Sequence, residues 1–380
     1  MILGNHRDAW THGAVDPNSG TAAQLEVARG LAAAMKTGWR PKRTIVFASW
    51  DAEEYGLVGS TEWAEEHAAD LQRNAVAYLN GDAAVTGPNL NMSGTPSLLA
   101  LAQEVAGDVA DPQRGGDVGT GWESRQRSSW AQQTPIDLDA GDDAKFFARL
   151  SPLGSGSDYT AFIDHLGIPS WDFGFSGGYG VYHSVYDNFR WMEKYGDPGF
   201  HYHAAAARLW GLMAMRLANA DVVPLRFSTY ARDIKVDLDN LRRDAIRRAR
   251  TAGSNAKPAI TPDFKEVLAA LEEFRAAGAA ADAAAAAALK SGDAAATRRI
   301  SEALMSVEVA FLDAKGLPGR PWFRHMLIGP GLTTGYAPWP FPALQEAIEN
   351  RDAAMFEAES KRVVAALRAG TERLRAVGSR

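Results

Sequence analysis

Histidine and acidic side chains follow four short apolar runs in the first half of this 380-residue chain. They are His6, Asp8 and Asp16 after residues 1–4, Glu53 and Glu54 after the run ending at Trp50, Asp82 after the run ending at Leu79, and His183 after the run ending near Phe173. Because parallel strands present their carboxyl ends at one edge of a sheet, we expect these side chains to meet in one crevice. Imidazole nitrogen and carboxylate oxygen are good ligands for Zn²⁺. The pattern therefore predicts a metal site.

Two histidines and three carboxylates suffice for two metal ions if one carboxylate bridges them. Such a pair polarises a carbonyl group and generates hydroxide from water. The adjacent residues Glu53 and Glu54 suit a division of labour, in which one binds metal and the other takes a proton from water. The residues alone leave open which of the two does which.

Other chemistries fit the sequence less well. Residues 174–178 (GFSGG) match the nucleophile-elbow pattern, but the residues that follow do not form the required helical pattern, so Ser176 is not expected to be a nucleophile. The absence of cysteine excludes a thiol nucleophile and a cysteine-based metal site. A net charge of −6 gives no general attraction to nucleic acid.

The elements that must position these residues alternate between strands and helices. We predict strands at residues 43–50, 75–79 and 168–173, and helices at residues 21–35, 61–71, 97–105 and 158–166. This order indicates an α/β fold with a largely parallel, doubly wound sheet. Later helical patterns cover residues 238–251, 262–289, 294–313 and 342–375. We therefore predict a catalytic domain at residues 1–220 and a C-terminal helical bundle domain at residues 221–380.

The chain shows no run of 18 apolar residues and no signal-peptide pattern, so we expect no membrane segment. Its first residues already resemble a strand followed by a dense polar cluster. Because chain ends usually fray, we expect either that this start is packed in an unusual way or that an upstream part of the fold is missing.

Five motifs together resemble one family. They are residues 6–8 (HRD), 16–20 (DPNSG), 50–56 (WDAEEYG), 59–63 (GSTEW) and 182–186 (YHSVY). They resemble the glutamate carboxypeptidase II family of dinuclear zinc exopeptidases, and residues 311–325 are similar to its transferrin-receptor-like dimerisation domain. The resemblance implies two Zn²⁺ ions, hydrolysis of terminal peptide bonds of small peptides, a homodimer through the helical domain and an extracytoplasmic location. The N-terminal strands and the apical domain of that family have no counterpart in this chain.

The resemblance also implies roles for individual residues. His6 and Asp82 would hold one zinc, Glu54 and His183 the other, and Asp16 would bridge them. Glu53 would be the general base, Asp8 would orient His6, and Tyr182 would donate a hydrogen bond to the oxyanion. The substrate pocket would include Gly156, Ser157, Asp172 and Tyr336.

Departures from the family pattern bear on specificity. Asp172 and Gly174 stand where the glutamate-specific member has arginines, and Gly335 stands where it has a lysine. We therefore expect neutral or basic substrates rather than acidic ones. Glu62 and Glu65 match only half of the family's calcium site, so Ca²⁺ is not expected.

Two alternatives remain beside a zinc carboxypeptidase or aminopeptidase. One is a non-catalytic dimer like the transferrin receptor, and the other is a single-zinc cyclase of related fold. The presence of all five ligands and of Glu53 favours the peptidase. The direction of exopeptidase action stays open.

Overall fold

Five short strands form one sheet in the computed structural model, which describes residues 1–133, 146–250 and 260–378. They are β1 (Ile2–His6), β2 (Val46–Trp50), β3 (Tyr78–Asn80), β4 (Asn89–Gly94) and β5 (Ser170–Ser176). The order across the sheet is β2-β1-β3-β5-β4. Strands β2, β1, β3 and β5 are parallel and β4 is antiparallel to β5. The predicted α/β fold with a largely parallel sheet is confirmed.

Helices flank the sheet and make up most of the second half of the described chain. The first group comprises α1 (Asn18–Lys36), α2 (Val58–Glu66), α3 (Ala68–Asn74), α4 (Leu99–Gly107), α5 (Val118–Gln133), α6 (Phe189–Trp191) and α7 (His201–Asn219). The second group comprises α8 (Phe227–Arg250), α9 (Lys265–Ser291), α10 (Ala294–Met305), α11 (Pro342–Glu349) and α12 (Ala353–Gly378).

The sheet buries apolar side chains on both faces. Successive residues of a strand point to opposite sides. On one face Tyr78 stacks on Phe162 with ring centroids 4.0 Å apart, and Trp50 belongs to the same buried cluster. On the other face Leu79 belongs to a second cluster together with Trp210 of α7. Helices α1 and α7 cover this face of the sheet. Both faces of the sheet are therefore covered, as a doubly wound fold requires.

Two elements of the first half were not predicted. Strand β4 buries Leu90 and Met92 and alternates them with Asn89 and Asn91, so a period-two pattern is present although the run is polar overall. Helix α5 lies in a stretch that the sequence indicates only as polar and glycine-rich. It buries little beyond Val118 and Trp122, so its apolar periodicity is weak.

Several predicted helix boundaries were wrong. The helix predicted at 158–166 is a short π-helical turn, Ala161–His165. The helix predicted at 238–251 begins at Phe227, and residue 251 lies outside the described residues. The helix predicted at 294–313 ends at Met305, and that predicted at 342–375 is split into α11 and α12. Arg351 breaks it with a backbone φ of 54°, which a continuous helix does not allow.

The second half packs its long helices around aromatic side chains. Phe274 of α9 is fully buried and contacts Phe311, Phe227 and Tyr230, with ring centroids 5.6, 6.2 and 6.0 Å away. This cluster is continuous with the core beneath α1 and α7. The helical C-terminal region agrees with the sequence, whereas the boundary at residue 220 stays a prediction.

Within the described ranges, no helix combines the length and the apolar character that crossing a membrane demands.

Replacing Phe274 with alanine removes the centre of the helical core. We expect Phe274→Ala to lower the free energy of unfolding by about 3–5 kcal/mol, because the ring is fully buried and a cavity remains. Leu289→Ala on the same helix is the control, since Leu289 is 45% exposed, and its effect should stay within about 0.5 kcal/mol. Urea denaturation followed by circular dichroism measures both. Equal losses in the two variants would contradict this packing.

Candidate metal centre

The parallel strands bring the chemical residues to one edge of the sheet. His6 is the last residue of β1 and pairs with Trp50, the last residue of β2. Glu53 and Glu54, which come shortly after Trp50 in the chain, therefore lie beside His6. Asp82 comes two residues after the end of β3, the other neighbour of β1. The strand order alone thus places these four side chains together.

Two groups of three side chains lie within ligand distance, and Asp16 faces both histidines. In the first group His6 Nε2 lies 2.8 Å from Asp82 Oδ1 and 3.9 Å from Glu53 Oε2. In the second, His183 Nε2 lies 3.0 Å from Asp16 Oδ2 and 3.2 Å from Glu54 Oε2. Asp16 Oδ1 lies 3.3 Å from His6 Nε2. The two oxygens of Asp16 thus point to different groups, which is the arrangement of a bridging carboxylate.

The electrostatics of these groups fit metal cations. Burial and the charge of Asp82 raise the pKa of Glu53 to about 9, and burial and Asp16 raise the pKa of Glu54 to about 7. Burial disfavours a charge on His6, but hydrogen bonds to Asp16 and Asp82 and the charges of Asp82 and Glu53 raise its pKa to about 12. In the part of the chain that the structure describes, no lysine or arginine forms an ion pair with these carboxylates.

An unpartnered oxygen supports the same conclusion. Glu54 Oε1 is buried and accepts no hydrogen bond from the described residues. Buried polar atoms without a partner are rare and need an explanation. A metal ion in each group would bind such oxygens and supply the missing positive charge, so the residues present fit two divalent ions.

Asp8 holds the segment that carries the two glutamates. Its Oδ1 accepts a hydrogen bond from the backbone N–H of Glu53 at 3.1 Å, and its Oδ2 accepts one from Glu54 at 3.2 Å. His6 Nδ1 lies 3.0 Å from the backbone carbonyl oxygen of Asp8 and 3.6 Å from its carboxylate. The carbonyl group therefore orients His6 at closer range, leaving Nε2 free to face a metal.

Asp187 was not identified from the sequence and plays the corresponding part for Asp16. Its carboxylate accepts hydrogen bonds from the backbone N–H groups of Val15 at 2.9 Å and Asp16 at 3.2 Å, and from the Tyr179 hydroxyl at 2.9 Å. Asp187 directly follows the motif at residues 182–186, which is the signal that was available. It ties the segment of His183 to the segment of Asp16.

Tyr182 and His183 form an aromatic rim over the second group. Their rings stack with centroids 3.6 Å apart, and Trp10 lies 6.1 Å from the ring of His183. His183 has a backbone φ of 53°, an uncommon value that often marks a functional turn. Tyr182 is half exposed, and its partial burial and the charge of Asp16 raise its pKa. Its role as hydrogen-bond donor stays a prediction.

The four predicted pocket residues lie beside the first group. Ser157 is buried and donates a hydrogen bond from Oγ to Asp82 Oδ2 at 2.6 Å, so its hydroxyl is engaged with a predicted ligand. Asn80 Nδ2 donates to Ser157 Oγ at 3.0 Å and to Asp172 Oδ1 at 2.8 Å. Tyr336 is exposed and packs against Gly156, where a Cβ atom would lie 3.1 Å from its own. Their contact with substrate stays a prediction.

Asn80 is a second site residue that sequence reasoning missed. Its amide group links Ser157 and Asp172, and its Oδ1 accepts a hydrogen bond from Tyr78 at 3.2 Å. Its position two residues before Asp82 was the available signal.

The half calcium site has a different contact in the structure. Glu65 Oε1 accepts a hydrogen bond from Trp322 Nε1 at 2.5 Å. Glu62 and Glu65 belong to neither of the two groups of candidate metal ligands found among the described residues.

Comparisons with known proteins match the two halves separately. The model of "Peptidase family M28" matches residues 1–197, and that of "Transferrin receptor-like dimerisation domain" matches residues 262–375. The chain is 41% identical over 353 residues to "Probable glutamate carboxypeptidase LAMP1" of Arabidopsis thaliana, covering 92% of this chain and 47% of that protein. It is 35% identical over 353 residues to "Aminopeptidase NAALADL1" of Rattus norvegicus, covering 90% and 45%.

A solved structure, "Aminopeptidase from Aneurinibacillus sp. strain AM-1", aligns with a TM-score of 0.37 and 19% identity, covering 57% of this chain and 43% of that one. The chain spans about half the length of the curated relatives described above.

The contacts of Asp8 predict a loss of metal affinity when its carboxylate is altered. Asp8→Asn replaces one acceptor oxygen with an NH₂ group that faces a backbone N–H, so the Glu53–Glu54 segment loosens. We expect zinc affinity to fall about 10–100-fold, the usual effect of removing a group that orients ligands. Competition with a chelator measures the affinity. Asp51→Asn is the matched control because Asp51 is exposed in the same segment and pairs with Arg7. Unchanged zinc affinity in Asp8→Asn would contradict the assignment.

Proposed function

Because the chain belongs to Peptidase family M28, we propose that it is a dinuclear zinc exopeptidase that hydrolyses terminal peptide bonds of small peptides. The observation that carries the proposal is the pair of adjacent three-residue groups, in which Asp16 of the second group also faces His6 of the first. Zinc ions bound there supply Lewis-acid polarisation of the scissile carbonyl and lower the pKa of a bound water molecule.

The ligand assignment follows the atoms that face each other. His6 and Asp82 would hold one ion, and Glu54 and His183 the other. Asp16 would bridge, because its Oδ1 lies near His6 and its Oδ2 near His183. Ser157 and the Asp8 carbonyl group keep Asp82 and His6 in place.

Glu53 is the group that can move a proton. Its carboxylate lies beside the ligands at 3.9 Å from His6 Nε2, and its backbone is fixed by Asp8. It accepts a proton from the attacking water and returns it to the leaving amine. Tyr182, which stacks on His183 at the rim, would donate a hydrogen bond to the tetrahedral oxyanion.

The two alternatives have less support. A single-zinc cyclase would use one group of ligands, whereas two adjacent groups are present here and Asp16 faces the histidines of both. A non-catalytic receptor-like protein has no use for Glu53 beside a complete ligand set. A preference for neutral or basic side chains and an extracytoplasmic location both stay predictions.

Glu53→Gln tests the proposed mechanism. Glutamine keeps the shape of the side chain but cannot accept the proton of water. We expect zinc to remain at two ions per chain while kcat falls about 10²–10⁴-fold. Metal analysis and hydrolysis of a dipeptide panel measure the two effects. Glu66→Gln, at an exposed position of α2, is the control. Full activity of zinc-loaded Glu53→Gln would show that another group is the base.

We also propose that the chain forms a homodimer through its helical half. Support comes from the match of residues 262–375 to the transferrin receptor-like dimerisation domain. Light scattering at micromolar concentration should give about twice the mass of one chain. A monomer mass that persists at 100 µM, roughly a hundredfold higher concentration, would refute the dimer.

A further inference from the structure

A carboxylate with no cationic partner among the described residues lies next to the proposed metal ligands. Asp172 is on β5, on the same face of the sheet as Asn80. Its Oδ1 accepts a hydrogen bond from Asn80, whose amide also donates to Ser157, and Ser157 donates to Asp82. Asp172 as a residue is partly exposed to solvent. Asn80 and Ser157 thus connect the Asp172 carboxylate through hydrogen bonds to the proposed ligand Asp82.

No arginine or lysine of the described residues forms an ion pair with Asp172. Burial and the charge of Asp82 raise the pKa of Asp172 to about 7, although the hydrogen bond from Asn80 acts to lower it. A carboxylate charge in such a place is stabilised further by an opposite charge close by. The pocket therefore favours a ligand that brings a positive group.

The charge balance of the whole site points the same way. Seven carboxyl groups surround it: Asp8, Asp16, Glu53, Glu54, Asp82, Asp158 and Asp172. Two divalent ions neutralise at most four of them. Asp158 is buried and neither of its oxygens has a hydrogen-bond partner among the described residues. Carboxyl groups therefore outnumber the positive charges that two divalent ions would supply.

We infer that Asp172 binds the free α-ammonium group of the substrate, so that the enzyme removes residues from unblocked N-termini. This inference rests on the proposed function. An exopeptidase must recognise one chain end a few ångströms from the scissile bond, and that end is either an ammonium or a carboxylate group. A fixed carboxylate attracts the first and repels the second. By the family resemblance, Gly174 and Gly335 stand where a glutamate-specific carboxypeptidase has cationic side chains.

The first experiment compares two substrates with opposite blocked ends. Alanyl-alanine amide has a free ammonium group and no carboxylate, whereas N-acetyl-alanyl-alanine has a free carboxylate and no ammonium. We expect kcat/KM of the zinc-loaded full chain to be at least about 100-fold higher for the amide. A preference for N-acetyl-alanyl-alanine would overturn the inference and leave the proposed function standing.

The second experiment removes the charge of Asp172. Asp172→Asn keeps an oxygen that accepts the hydrogen bond from Asn80. We expect kcat/KM for alanyl-alanine amide to fall at least about 100-fold, zinc content to stay unchanged, and the rate with N-acetyl-alanyl-alanine not to fall. Asp172→Glu, which retains the charge, should recover part of the loss. Asp108→Asn is the matched control, because Asp108 is exposed and pairs with Arg216 away from the site. Equal losses on both substrates would indicate a structural role and overturn the inference.

A binding measurement separates this inference from the proposed function. Calorimetry with zinc-loaded Glu53→Gln should show that alanyl-alanine amide binds, and that adding Asp172→Asn weakens binding at least about 30-fold. Failure of the wild-type chain to hydrolyse either peptide would overturn the proposed function. Unchanged affinity in the double variant would overturn the role of Asp172, whatever the turnover.

Discussion

The crowding of carboxyl groups at one edge of the sheet is the constraint on which the rest of the structure depends. Two like charges about 4 Å apart repel by about 4 kcal/mol at an effective dielectric constant of about 20. Unrestrained loops would relieve this by turning the side chains into solvent. Asp8 and Asp187 oppose it, because each accepts hydrogen bonds from two consecutive backbone N–H groups of a ligand-bearing segment. Such a charge-assisted hydrogen bond contributes about 1.5–3 kcal/mol, so the four together are comparable in size to this repulsion.

The sheet extends this restraint into the core. Trp50 Nε1 donates to the Tyr78 hydroxyl at 2.9 Å, and Tyr78 donates to Asn80, so a buried polar chain joins β2 to β3 beneath the site. Through Asn80 and Ser157 the same chain reaches Asp82. Gly4 makes this possible, since a Cβ atom there would lie 2.0 Å from the Tyr78 hydroxyl oxygen. The position of a proposed metal ligand is therefore set partly by packing inside the sheet.

The helical half contributes to the site as well as to the proposed dimer. The backbone N–H of Ser155 donates to the carbonyl oxygen of Tyr336 at 3.2 Å, and a Cβ atom on Gly154 would lie 1.9 Å from that oxygen. The segment before Ser157 is thus held by a loop from the far end of the chain. Loss of packing in the helical half should reach the predicted substrate pocket through this contact.

The sequence by itself determined the fold class and the composition of the proposed site. Short apolar runs followed by His6, Glu53, Glu54 and Asp82 predict convergence, because parallel strands end at one edge. Strand β4 and helix α5 escaped prediction since their apolar periodicity is weak, and the breaks between helices depend on single backbone conformations such as that of Arg351. Only the tertiary structure decided which carboxylate holds which segment. The contacts of Asp8, Asn80, Asp187 and Asp172 join residues distant in the chain, and no local pattern encodes such pairings.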